Sequence, residues 1–281
     1  MEASLSEEIF ASQPCVFVVG EDKREFLLHS DLVKRESEAL GKIIDASFAE
    51  GRKGYVVLRD DDVETISAFA QFIYTGYYHL SFNMSAPDSA NESHDKGNRG
   101  NNVAQFTEFR RPHNGLWRRF IQRNHYENQE KLSDSESYMI PYEASRFEID
   151  DSDVPYLNAG YMDKDCSELF ISHVRIFVFA QYYAVEALMD LSMQRLHEAL
   201  CGFSLSIVRI GDILALIRYC YEQPDLKRLK KMVAMYSAAV VNSQIQEVVI
   251  EDFEDLLTER GDFAADMAWF LACRVTCSSE Y

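Results

Sequence analysis

The sequence predicts an α+β fold that has few strands and many helices. Three short runs of β-branched and aromatic residues, CVFVVG, EFLLH and KGYVVLRD, lie between Cys15 and Asp60. From about Ser167 to the C-terminus, apolar residues recur at helical intervals. The long segment between these two blocks is mostly polar, which indicates an insertion and not a further layer of core.

The first block predicts a β-hairpin, two short helices, a third strand and a longer helix. CVFVVG ends at Gly20, EDKR provides a polar turn, and EFLLH completes the hairpin. From Ser30 the apolar period becomes helical, and KGYVVLRD then predicts the third strand. In DDVETISAFAQFIYTG, Asp61 and Asp62 lie near the positive end of a helix that Gly76 terminates.

Residues 81–167 predict a polar and largely disordered insertion. The stretch SAPDSANESHDKGNRGNN contains no apolar residues except two alanines, so we expect at least residues 85–102 to be disordered. Further along the insertion the charges segregate. Residues 110–123 (RRPHNGLWRRFIQR) contain five arginines and no acid, whereas residues 127–153 contain nine acids and two bases.

The arginine-rich stretch allows several interpretations. Trp117, Arg118, Arg119 and Phe120 form a candidate docking motif. The stretch also fits a nuclear-import signal, or a segment that pairs with the acidic run that follows it. The interpretation that the polar composition favours is solvated, disordered chain.

The last third of the chain predicts a series of helices. SELFISHVRIFVFAQYY and AVEALMDLSMQRLHEAL indicate two helices within residues 168–202. Four further amphipathic segments follow in residues 203–281. The predicted organisation is therefore a first part at 14–80, the insertion at 81–167, two helices at 168–202 and a helical extension at 203–281.

The composition bounds the classes of partner. The chain has 281 residues and carries 46 acidic against 28 basic side chains, a net charge of −18. Nucleic acids and anionic membranes require cationic surface, so we expect neither as a partner. No segment has the pattern of a targeting signal or a membrane span, which predicts an intracellular protein of the cytoplasm or nucleus. The six cysteines fit that compartment as free thiols.

Both blocks resemble the BTB/POZ family, and the spacing is most similar to its fungal branch. The resemblance covers two separate pieces of the chain and implies a small β-sheet flanked by a cluster of helices. In that fold Gly76 is an internal corner and the polar stretch is looped out at a surface position. The residues that carry the resemblance are FVVG (17–20), Phe26, His29, Leu32, Ser37, SFAE (47–50), VVL (56–58), FIYTGYY (72–78) and RIFVFAQYYAVEALMDLSMQRLHEAL after the insertion.

The resemblance implies a non-enzymatic protein–protein interaction module. Its partners would be a second copy of the chain or other BTB proteins. Pro14 stands where members usually carry an acid that contributes to the subunit interface, which weakens the inference of a dimer. An alternative is a substrate adaptor of a cullin-type ubiquitin ligase, because Phe48 and Glu50 match the hydrophobic-x-Glu pattern that contacts a cullin.

The sequence contains no recognisable pattern for a catalytic, cofactor, metal or small-molecule site, so we expect none of these. His29 and His173 each lie beside apolar segments, so we expect both to be hydrogen-bonded and mostly buried. Cys273 and Cys277 share a helix face but have no histidine nearby. An enzyme with an unrecognised site is the remaining alternative, and no nucleotide loop, metal cluster or triad spacing supports it.

Overall fold

The computed structural model describes residues 11–51, 54–80, 114–122, 166–203, 205, 209–241 and 250–278. Over these residues the structure is mostly helical with one small sheet, which is compatible with the α+β prediction. The chain divides into two compact units. Among the described residues, the first unit contains residues 11–80 and 172–193, and the second contains residues 114–122, 166–171 and those from 194 onward.

In the described part of the first unit, the sheet has three strands: β1 (Pro14–Val19), β2 (Arg24–His29) and β3 (Tyr55–Leu58). Their order is β2-β1-β3, with β2 antiparallel and β3 parallel to the central strand. Alternate residues point to opposite faces of a strand, so one face buries Cys15, Phe17 and Val19. The predicted hairpin and third strand are confirmed.

Three helices follow the chain of the first block: α1 (Ser30–Glu36), α2 (Glu38–Ala49) and α3 (Val63–Thr75). The side chain of Asp62 accepts a hydrogen bond of 2.7 Å from the Thr65 N–H and so caps the start of α3. Gly76 ends α3 in the left-handed conformation with φ +73°, and its N–H donates to the Phe72 carbonyl.

Two helices resume after the insertion, and both are confirmed: α5 (Ser167–Tyr182) and α6 (Glu186–Gly202), numbered after a short helix, α4 (Gly115–Ile121). Residues 172–193 share one hydrophobic core with residues 15–78. Phe179 lies 5.2 Å from Phe69, measured between ring centroids. Ile176, Ala180, Val185 and Leu188 belong to the same buried cluster as the sheet residues.

The boundary between the two compact units falls within α5 and α6. Residues 166–171 and 194–202 group with the second unit, and residues 172–193 group with the first. The assignment of residues 168–202 to the first block, as its last two helices, stays a prediction. The division runs along the length of each helix, since residues 172–182 of α5 and 186–193 of α6 lie in the first unit.

The second unit contains the helices α7 (Ile210–Glu222), α8 (Lys227–Val240), α9 (Ile250–Glu259) and α10 (Gly261–Ser278), together with α4. Arg274 of α10 donates hydrogen bonds to the carbonyls of Ala238 and Val241 at the end of α8, at 3.0 and 2.6 Å. No helix of the described chain is long and apolar enough to cross a membrane.

The prediction of solvated, disordered chain is wrong for residues 114–122. Asn114 caps α4 by accepting a hydrogen bond of 2.8 Å from the Trp117 N–H, and its amide also donates to the Ala239 carbonyl at 2.9 Å. Leu116, Trp117 and Phe120 are buried, and this apolar face supplies the stabilisation that the polar flanks lack. The predicted disorder at residues 85–102 lies outside the described residues.

Candidate interaction surfaces

Phe48 and Glu50 lie at the C-terminal end of α2 in the first unit. The Phe48 ring is half-buried and packs on Gly54, where an added Cβ would lie 2.5 Å from the ring's Cζ atom. Glu50 is exposed, and its N–H donates to the Ala46 carbonyl at 3.1 Å. The structure therefore brings a partly exposed aromatic ring and an exposed carboxylate to the same helix end, and the ring occupies the space that a side chain at residue 54 would need.

The four residues of the candidate docking motif separate into two sets. Trp117 and Phe120 are buried in the second unit, where Phe120 lies 5.4 Å from Tyr236 between ring centroids. Arg118 is exposed and Arg119 is half-buried. The two aromatic side chains therefore belong to a core, Arg118 and Arg119 are the more exposed members, and the docking role of the motif stays a prediction.

His29 and His173 in the first unit each have a tyrosine partner, as expected for hydrogen-bonded and mostly buried histidines. His29 Nδ1 and the Tyr74 hydroxyl share a hydrogen bond of 2.7 Å, and so do His173 Nδ1 and the Tyr78 hydroxyl. Burial lowers the pKa of His173 to about 4, so this side chain is neutral near pH 7. Both pairs connect distant parts of the first unit.

In the second unit, sequence reasoning missed a buried polar network around Cys166. Arg209 donates a hydrogen bond of 2.7 Å to the Cys166 sulfur, and the Cys166 N–H donates to the Asp212 carboxylate at 3.1 Å. The Arg209 guanidinium also lies 4.3 Å from the centroid of the Phe203 ring. Arg209 and Asp212 lie far from Cys166 in the sequence, so the spacing of these residues did not indicate that they form one network.

A second thiol, Cys201, lies 3.6 Å from His197 Nε2, four residues earlier on α6. His197 Nε2 also donates to the Phe120 carbonyl at 2.7 Å. Cys201 is buried, so this pair has the surroundings of a packed thiol and not of an exposed nucleophile. Among the described residues no group of three or more His, Cys, Asp or Glu side chains is placed to hold a metal ion.

The outer face of the sheet is apolar, which the sequence analysis did not single out. Leu27 of β2 and Tyr55 and Val57 of β3 are 68%, 40% and 57% exposed. Val16 and Val18 of the central strand lie between them and are partly exposed. The signal was available in the alternation of β1 and β3, where both faces carry apolar residues.

In the comparisons with known proteins, no family model, no curated protein and no solved structure matches this chain.

Proposed function

We propose that the chain is a non-enzymatic protein–protein interaction module of the BTB type, which self-associates or pairs with other proteins. The observation that carries the proposal is the single hydrophobic core formed by residues 15–78 and 176–188. These are the same two blocks that carry the resemblance. A sheet of three short strands buries one face against helices from both blocks, and neither block closes this core alone.

Ser37 supports the proposal in detail. Its hydroxyl donates a hydrogen bond of 2.6 Å to the carbonyl of Tyr183, 146 residues away. The same oxygen accepts from the Leu40 N–H at 3.0 Å and caps α2. Ser37, one of the residues that carry the resemblance, therefore starts a helix in the first block and contacts the Tyr183–Ala184 corner in the block after the insertion.

The proposal predicts specific binding partners, and two differently tagged copies of the full chain test it. After co-expression, one tagged copy is captured and the amount of the second copy that comes with it is measured. Separately, proteins found near the chain by proximity labelling are purified, and their binding to the purified chain is measured in vitro. The control is the labelling enzyme without the chain. The proposal predicts recovery of the second copy or of at least one rebinding protein. Recovery of neither above the control would contradict it.

A cullin-adaptor role is the second candidate, supported by the exposed Glu50 beside the partly exposed Phe48. Phe48→Ala with Glu50→Lys should abolish capture of a purified cullin by the full chain, because such contacts concentrate in a few anchors. The matched control is Ile43→Ala with Glu38→Lys on the same helix, since both residues are exposed. Equal capture by wild type and the Phe48/Glu50 variant would remove this site.

A further inference from the structure

The outer face of the sheet forms one continuous apolar patch. The register aligns Leu27, Val16 and Tyr55 in one row across the three strands. The next row contains Glu25, Val18 and Val57. Side chains opposite each other on neighbouring strands lie about 5 Å apart, so the five apolar residues are contiguous.

This composition differs from that of a sheet face adapted to water. When one face of a small sheet packs on a core and the other is solvated, the outward positions are normally polar. Here Glu25 is the charged residue among the six residues of the two rows, in a chain of which 26% is charged. Solvation alone does not explain five outward apolar side chains on adjacent strands.

The patch has the size of an interface core. Its exposed apolar surface is on the order of a few hundred Å², like the largest patch on a typical monomer, which is often functional. A standard interface buries about 800 Å² per partner, of which about 57% is apolar. The outer face therefore supplies most of the apolar area that one side of a stable dimer needs.

Charges at the border of the patch favour a second copy as the occupant. Glu25 is exposed on the edge strand β2, and Arg59 is exposed directly after the other edge strand, β3. A twofold rotation about an axis parallel to the strands places β2 of one copy over β3 of the other. Glu25 then lies over Val57 of the other copy, about 7 Å along the strand from Arg59. The rotation creates two equivalent pairs of opposite charge.

We propose that a second copy of this chain packs face to face on the outer face of the sheet, with the two sheets about 10 Å apart. The apolar patch forms the centre of this isologous interface. Glu25 of each copy pairs with Arg59 of the other at its border. This inference rests on the proposed function and assigns the surface by which the chain self-associates.

Sedimentation of the full chain tests the interface, over about 1 to 100 µM protein so that micromolar dissociation constants are covered. About 150 mM NaCl screens the repulsion between two copies of net charge −18, because the Debye length is then about 8 Å. Wild type should form dimers. Leu27→Lys should raise the dissociation constant by about tenfold or more, since it buries an unpaired charge within the patch.

Two matched variants keep the result interpretable. Tyr182→Lys places the same charge at another exposed position, 78% exposed, and should leave the dimer unchanged. Leu27→Ser introduces no charge and should weaken the dimer in the same direction as Leu27→Lys. The melting temperature of each variant is measured in parallel, to show that folding is retained.

Charge reversal tests the arrangement within the interface. Glu25→Arg and Arg59→Glu should each raise the dissociation constant, and the two together should restore it, because each pair then has its charges exchanged. Weakening by both single variants without restoration would overturn the twofold arrangement.

The outcomes separate this inference from the proposed function. A dimer that Leu27→Lys and Leu27→Ser leave unchanged would overturn the outer face as the interface, and self-association would stand on another surface. A monomer at every concentration would overturn the inference. In that case the rebinding of partners found by proximity labelling decides the proposed function independently.

Discussion

Two ionisable side chains of the first unit, Asp61 and His173, have pKa values that the fold shifts in opposite directions. Burial, and then the neighbouring charges of Asp62 and Asp60, raise the pKa of Asp61 from 3.8 to about 6. Burial lowers the pKa of His173 from 6.5 to about 4. Asp61 therefore contributes stability that is lost as pH rises from about 4 to 6, whereas His173 contributes stability that is lost as pH falls from about 6.5 to 4.

Replacing Asp61 by Asn should stabilise the protein at neutral pH. The ionised carboxylate is unfavourable in the folded state above pH 6, and Asn removes that charge without changing the side-chain shape. After allowance for solvent screening, we expect a gain of about 1 to 2 kcal/mol in the free energy of unfolding at pH 8. Urea unfolding at pH 8 and pH 4.5 measures it, and the gain should shrink at the lower pH.

Asp60→Asn is the control, because it removes an exposed carboxylate from the same loop. Its effect on the free energy of unfolding at pH 8 should be smaller than that of Asp61→Asn. An equal gain from both variants would mean that general acidity of the loop, and not the burial of Asp61, sets the effect.

The roles of single residues were predictable where they depend on neighbours along the chain. The apolar surroundings of His29 and His173 indicated buried, hydrogen-bonded histidines. Their partners, Tyr74 and Tyr78, were not predictable, because they lie 45 and 95 residues away. The contact of Phe48 with Gly54 was not predictable either, because it depends on how the chain returns from α2 to β3.

At the scale of elements, local capping residues mark where the helices begin and end. Asp62, Asn114 and Ser37 each accept a hydrogen bond from a backbone N–H in the first turn of a helix. Gly76 ends α3 with φ +73°, a conformation that side chains with a Cβ adopt only at a cost. This end determines where the chain leaves the first block.

Gly76→Ala should destabilise the first unit through its backbone alone. No heavy atom lies within 4 Å of a Cβ added at this position, so the cost comes from the left-handed φ. We expect a loss of about 1 kcal/mol in the free energy of unfolding, and a smaller loss for Gly76→Asn, which tolerates this region better. Chemical denaturation of the two variants measures both values.

Gly211→Ala is the matched control for this prediction. Gly211 lies in α7, has no positive φ, and also has no heavy atom within 4 Å of an added Cβ. Alanine should therefore be neutral or stabilise by up to about 1 kcal/mol, because it favours the helix. A loss at Gly211 as large as that at Gly76 would show that conformation is not the cause.

The elements of the first block and the helices after the insertion were predictable because each has a clear apolar period. The helix α4 was missed for a physical reason. The five arginines around it and the mostly polar flanking sequence suggested solvated chain. However, Leu116, Trp117 and Phe120 are spaced to lie on one face of a helix. The cap at Asn114 was a usable signal, whereas the partners of that face, such as Tyr236, lie in a distant part of the sequence.

At the scale of the whole molecule, the first unit is built from two blocks that are far apart in the sequence. Residues 11–80 supply the sheet and three helices, and residues 172–193 complete its core. The apolar periodicity of α5 predicted a buried helix. This periodicity did not predict that α5 and α6 each contribute to both units. The apolar face of a helix shows that the helix is buried, but it does not identify the elements against which it packs.

Phe179→Ala should lower the stability of the sheet, although Phe179 and the strands belong to different blocks of the sequence. Phe179 is 2% exposed and its ring contacts Phe69 and Tyr183. Removal of a buried phenyl ring costs about 3 kcal/mol or more, equivalent to roughly 100-fold faster exchange where amides open by unfolding of the unit. Hydrogen exchange measured by mass spectrometry should show this loss of protection in β1.

Phe263→Ala provides the reciprocal comparison, because Phe263 is fully buried in the second unit and contacts Tyr221. This variant should lower protection in α8 more than in β1. If Phe179→Ala instead affected α8 more than β1, the shared core of the two blocks would be refuted as the source of the sheet's stability.

The hydrogen bond from Ser37 to Tyr183 and the core shared by two distant blocks of sequence have a consequence for biosynthesis. The chain up to Leu80 leaves the ribosome before the helical residues that cover its apolar surface have been translated. At about 5 to 20 residues per second, the delay until residue 193 is roughly 5 to 20 s. During that interval the nascent hairpin and its helices lack residues 176–188, which complete their core in the finished fold.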